Sequence, residues 1–309
     1  MSGKALLTSL PTSKVGEATP LFPPAPWLGN RTLAFGATMG MAIMIGVAKT
    51  SVDVALIASM DAVAASTGIG SVVSDLPAIG SLSYVCGKLG GVGVLGVVGP
   101  RRAILAALAS GCITCLTFTV GTWGAMVASW VVWRLLSAQV WGALVQVVAN
   151  WADADTTAPP MATCAIAWDL GSALFGAVGT ALLIPGHGAW RNVWYVSAAY
   201  CGLASVVCAC CFRDSAAAAG HRPPGNSTVW DAQPPATLVA ALQSFARNSL
   251  FWLLILLRMG LSSFEYAVRY ATVFAVRALG ASDASAAAVI TTGATGSAAT
   301  TLPPPSSSP

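Results

Sequence analysis

Five basic side chains lie inside apolar stretches of this sequence: Lys49, Lys88, Arg134, Arg258 and Arg269. Three acids share those stretches, Asp53, Asp169 and Glu265. A lysine at the centre of a helix in hydrocarbon costs about 2.5–3.5 kcal/mol on insertion scales, so each such charge needs a partner, a water-filled cavity or an anionic ligand. The chemistry these residues suit is non-covalent: gripping an oxyanion through charge-assisted hydrogen bonds, or pairing with one another. No nucleophile–base arrangement accompanies them, and no cofactor is implied.

Spacing sorts the charges into stripes. Lys49 and Asp53 are four residues apart and share a helix face. Ser81, Tyr84 and Lys88 form a second stripe. At about 100° per residue, Arg258, Glu265 and Arg269 fall within about 40° of one another. Such stripes face a bundle interior or an aqueous cavity. Two readings stay open for Lys49–Asp53 and Glu265–Arg269: mutual neutralisation across one turn, or a resting pair that opens for a ligand. Lys88 has no acid within a turn of its own helix and is the stronger ligand-binding candidate. Arg134 reads as a brace between helices, and Asp169 as a buried acid paired to a basic neighbour.

The elements that position these residues are membrane helices. Of 309 residues, 56% are hydrophobic and 8% charged, against about 25% charged in soluble domains. The basic residues are scattered rather than clustered, which excludes nucleic acid as a partner. Seven apolar segments run over about 33–57, 75–98, 103–120, 124–150, 160–184, 193–212 and 250–276. Residues 283–300 could begin an eighth. The fold class expected is an all-α membrane bundle.

Residues 1–30, rich in Pro, Ser and Thr, read as a disordered cytosolic leader, with a transit peptide as the alternative. Residues 31–212 then form a six-span bundle, 213–248 a polar cytosolic loop, 249–300 the start of a second bundle, and 301–309 a low-complexity tail. With the N-terminus inside, eight loop Lys/Arg lie on the inner side and two, Arg191 and Arg277, on the outer. Six spans, a long inner loop and a new bundle is a two-halved transporter layout. Met39-Gly40 precedes Lys49 as Met259-Gly260 precedes Arg269, nine residues from the glycine in both cases.

Other motifs have plain readings. Gly91-Val92-Gly93-Val94-Leu95-Gly96 fits G-x-G-x-x-G but lies inside an apolar helix, so close helix packing explains it better than a nucleotide. Cys112-Ile-Thr-Cys115 has no second pair or histidine cluster and reads as small helix-facing residues, not a metal site.

Taken in order, Ser83-Tyr84, Gly87-Lys88, Arg134, Trp141-Gly142, Asn150-Trp151, Trp190-Arg191, Arg213-Asp214 and Tyr266-Ala-Val-Arg269-Tyr270 resemble the organophosphate:phosphate antiporters. That family, within the major facilitator superfamily, includes glycerol-3-phosphate and hexose-6-phosphate transporters. Gly99-Pro100-Arg101-Arg102 resembles the superfamily's loop signature, with Gly96 or Val97 where an acid is usual. The resemblance implies exchange of a phosphorylated small organic anion for inorganic phosphate by alternating access. It implies a substrate site of Lys88, Arg269 and Lys49 with Tyr84 and Tyr266. Arg134, Asp53, Glu265, Asp169, Arg101 and Arg102 would serve gating or structure. The family's first-span Arg–Lys pair is Ala48-Lys49 here, and the fifth-span histidine of bacterial members falls at Trp168. These departures suit a divergent substrate. Seven spans are fewer than the family's twelve, so the sequence leads one to expect a longer message, a missing second half or a second copy. A facilitator for another anion, a non-transporting membrane sensor, or an inert truncated product are the rival expectations.

Overall fold

The structure, a computed structural model, describes residues 30–68, 71–152, 156–183 and 190–221, with isolated positions between 243 and 260. Seven helices make up the described bundle: α1 (Arg31–Thr67), α2 (Ser71–Val98), α3 (Pro100–Val120), α4 (Trp123–Ser137), α5 (Val140–Trp151), α6 (Ala158–Leu183) and α7 (Trp190–Cys211). No strand occurs among the described residues. The expectations for Glu265, Tyr266, Arg269 and Arg258 lie outside the described residues.

Local chemistry sets the ends. The Asn30 side chain accepts from the Thr32 and Leu33 N–H groups and so caps α1. Gly68 and Gly121 close α1 and α3 at φ 71° and 78°, where a side chain would be strained. Pro100 at the first turn of α3 follows Gly99, which turns the chain out of α2 at φ 82°. The fourth apolar segment is read from sequence as one span. It is two helices, interrupted at Ala138–Gln139.

Five stretches, Arg31–Met60, Pro100–Val120, Trp123–Trp151, Ala158–Val178 and Trp190–Cys211, are long and apolar enough to cross a bilayer. Helix α2, at 28 residues, has the length for the same crossing. Large apolar side chains such as Leu82, Leu89, Ile166 and Leu203 point outward, as a lipid surround requires.

Helix α1 is the hub. It packs most closely against α6 and α7, while α3 packs on α7 and α4, and α2 on α4. In lipid there is no hydrophobic force between helices, so close approach through small residues does the work. A Cβ on Gly171 would stand 2.8 Å from the Val47 Cα, and one on Gly87 2.5 Å from the Leu135 carbonyl oxygen. The glycine run of α2 divides in this respect. Gly91 lies against Gln139, but Gly90, Gly93 and Gly96 face open space, so packing accounts for part of the run only. Aromatic rings fill the centre, with Phe118 stacked on Trp194 at 4.2 Å. Buried polar groups are matched across the α1–α7 seam: Trp194 Nε1 donates to Ser59 Oγ (2.9 Å) and Ser197 Oγ to the Ser51 carbonyl (3.3 Å).

Candidate functional site

Lys49 sits midway along α1 on the face that meets α6 and is buried. Its ammonium pairs with the Asp53 Oδ2 at 3.3 Å, one turn on. The other carboxylate oxygen, Oδ1, takes Arg134 Nη1 from α4 at 2.8 Å. One carboxylate is thus shared between two cations from different helices. Arg134 also donates from Nε to the Gly80 carbonyl of α2 at 3.3 Å. It therefore braces α1, α2 and α4 together.

Tyr84 of α2 is the centre of this group. Its ring centroid lies 5.8 Å from Lys49 Nζ, 5.5 Å from Lys88 Nζ and 4.8 Å from the Arg134 guanidinium carbon. These distances are within the reach of cation–π attraction. The Trp168 ring of α6 also stands 5.3 Å from the Lys49 ammonium, and Trp141 of α5 meets Trp168 edge-on at 5.4 Å. The site is a cluster of three cations around one phenol ring, with one acid inside it and an aromatic wall behind.

Two sequence expectations are corrected. Lys88 is exposed, not buried in mid-helix, and only Tyr84 of its stripe is half-buried. The reason is that α2 turns its glycines, Gly80 and Gly87, toward α4, which leaves the Tyr84–Lys88 stripe at the rim of the bundle. Asp169 is also exposed, not a buried acid beside a basic neighbour. Helix α6 packs on α1 through Ala167 and Gly171. Trp168 turns toward Lys49, and Asp169 falls on the outer side. Sequence reasoning paired Asp53 with Lys49 alone and missed its bond to Arg134. It noted Trp168 as a departure and not as a wall. Nothing in helix-face spacing tells which residues 81 or more positions apart will meet, so these contacts had no signal.

A second polar group lies at one end of the bundle. Arg101 Nη2 donates to the Ala209 carbonyl near the end of α7 at 2.6 Å, while its neighbour Arg102 is exposed. Trp151 Nε1 donates to the Arg213 carbonyl, Asn150 Nδ2 to that of Asp214, and Arg31 Nη2 to that of Trp151. These bonds fasten the ends of α1, α5 and α7 to one another, and none of these residues joins the Tyr84 cluster.

The Major Facilitator Superfamily profile matches residues 32–304. With six membrane-length stretches folded as described, the chain belongs to that superfamily. Among solved structures, it is similar to the crystal structure of a D-xylose-proton symporter, at 14% identity and a TM-score of 0.59. That match covers 85% of this chain and 66% of the symporter, so the chain spans just under two-thirds of its length. At this identity the likeness speaks to fold. No curated protein matches the sequence.

Proposed function

We propose that this chain carries the anion-binding site of a membrane transporter that exchanges a phosphorylated small organic anion for inorganic phosphate by alternating access. The observation behind this reading is the convergence of Lys49, Lys88 and Arg134 on Tyr84 with a single carboxylate among them. That leaves an excess of positive charge in an apolar bundle, which a phosphate dianion would offset. Lys88, exposed at the rim, is the cation a solute meets first, and Lys49 lies deeper. Arg269, from the second half, would grip two phosphate oxygens with its planar fork, and Tyr266 would stand beside it. The N-terminus is cytosolic in this reading, because the basic ends at Arg31, Arg101, Arg102 and Arg213 belong to the inner side.

The Asp53–Arg134 contact favours a second reading. The matched symporter is named for D-xylose and a proton, and a carboxylate held between helices is a place for a proton to ride with a neutral solute. Proteoliposomes separate the two. Labelled phosphate should enter faster when phosphate is trapped inside, and glycerol phosphate should compete with it. Uptake of a labelled pentose that phosphate does not affect would reject the anion reading.

A further inference from the structure

We infer that Asp53 is a resident competitor for the anion: its carboxylate occupies, in the empty site, the positions that solute oxygens take on binding. The inference rests on the anion-site reading above and adds a role for the acid that its described residues hold.

The geometry is specific. Asp53 does not lie between its two cations as a loose counter-charge. Each oxygen is committed to a different partner, Oδ2 to Lys49 at 3.3 Å and Oδ1 to Arg134 at 2.8 Å. Two oxygens on one atom, each meeting a separate cation, is also how a phosphate or carboxylate ligand would bridge them. The competitor is tethered to α1 and so is present at high effective concentration, whatever the solute level.

The cations keep their places without it. Arg134 retains its bond to the Gly80 carbonyl and its packing on Tyr84 and Trp130 (4.8 and 5.6 Å), and Lys49 its seat between Tyr84 and Trp168. Displacing the carboxylate therefore need not dismantle the site. Lys88, which has no ion pair to Asp53, supplies the attraction that lets an arriving anion win. A monoanion meets a rival of equal charge. A dianion meets one of half its charge, so the acid also acts as a selectivity filter for doubly charged groups.

A purely structural ion pair and a competitor predict opposite signs. Removing a structural pair loosens the site and weakens binding. Removing a competitor frees the cations, so the site is competent for a larger fraction of the time and affinity rises. The test is calorimetric titration of the chain in detergent with inorganic phosphate at one fixed pH, comparing wild type with Asp53→Asn and Asp53→Ser. Each variant should bind phosphate about tenfold or more tightly, as expected if the free cation pair is a minor state of the wild type. Asp53→Glu, which keeps the charge, should not. Unchanged or weaker binding in folded Asp53→Asn and Asp53→Ser overturns the inference and leaves the anion site standing. Absence of phosphate binding in every form, wild type included, overturns the anion site itself. Should neither neutral variant fold, carbodiimide labelling of the wild type decides. Phosphate should raise labelling of Asp53 and a neutral polyol should not. Labelling that phosphate leaves unchanged or lowers counts against the competitor.

Discussion

Tyr84 is an unusual choice of neighbour for three cations, because a phenol ring offers attraction without a formal charge. A carboxylate in its place would neutralise one of them permanently and leave less charge for a solute. The ring holds Lys49, Lys88 and Arg134 at 5.8, 5.5 and 4.8 Å and keeps their charge available. Tyr84→Phe should therefore change phosphate affinity little. Tyr84→Leu removes the π face and should weaken binding by about 1–2 kcal/mol, the range for cation–π contacts at partly desolvated sites, measured by the same calorimetry. Lys88→Ala should weaken phosphate binding and lower its salt dependence, as loss of an exposed rim cation does, measured by the same titration at two ionic strengths. Unchanged affinity in a folded Lys88→Ala protein would assign Lys88 a structural role. The same scale shows what could be read in advance. Lys49–Asp53 and Tyr84–Lys88 were legible because residues four apart share a helix face. Arg134 and Trp168 were not, because the sequence holds no record of which helix faces will meet.

Each helix interface rests on a few glycines. Gly171 lets α6 approach the backbone of α1, and that approach brings Trp168 to Lys49. Gly171→Ala places a methyl group 2.8 Å from the Val47 Cα and should lower stability by about 1–3 kcal/mol, the usual range for overpacking. Gly90, one helix away, has nothing within 4 Å of a Cβ. Gly90→Ala should instead be neutral or stabilising by about 0.5–1 kcal/mol, since helix interiors favour alanine. Thermal unfolding in detergent compares the two, and equal effects would mean that helix propensity, not contact, governs both. The apolar segments announced these helices well, because composition decides membrane insertion. The division of the fourth segment did not announce itself: no glycine or proline marks Ala138–Gln139, and the Gln139 contact to the Gly87 carbonyl of α2 that accompanies the break is made 52 residues away in sequence.

For the molecule as a whole, the fastened end of the bundle, at Arg31, Trp151 and Arg213, gives orientation a direct test. In a background lacking the eight native cysteines, a cysteine at exposed Ala218 should react with an impermeant reagent only after the membrane is opened. Labelling of intact cells from outside would invert the topology. The interrupted fourth crossing bears on motion at this scale. On one side of Ala138–Gln139, Arg134 ties α4 to α1 and α2 through Asp53 and Gly80. At the interruption, the Gln139 amide donates to the Gly87 carbonyl, beside Lys88. On the other side, Asn150 and Trp151 tie α5 to the segment after α7. A rod anchored at both ends and cut in the middle would work as a toggle: a push on α2 would turn α4 about the joint while α5 stays moored. Spin labels on exposed positions of α2, α4 and α5 should report a constant α2–α4 distance and a changed α4–α5 distance when phosphate is added. The joint would then be the place where charge capture at Lys88 becomes angular movement of a crossing.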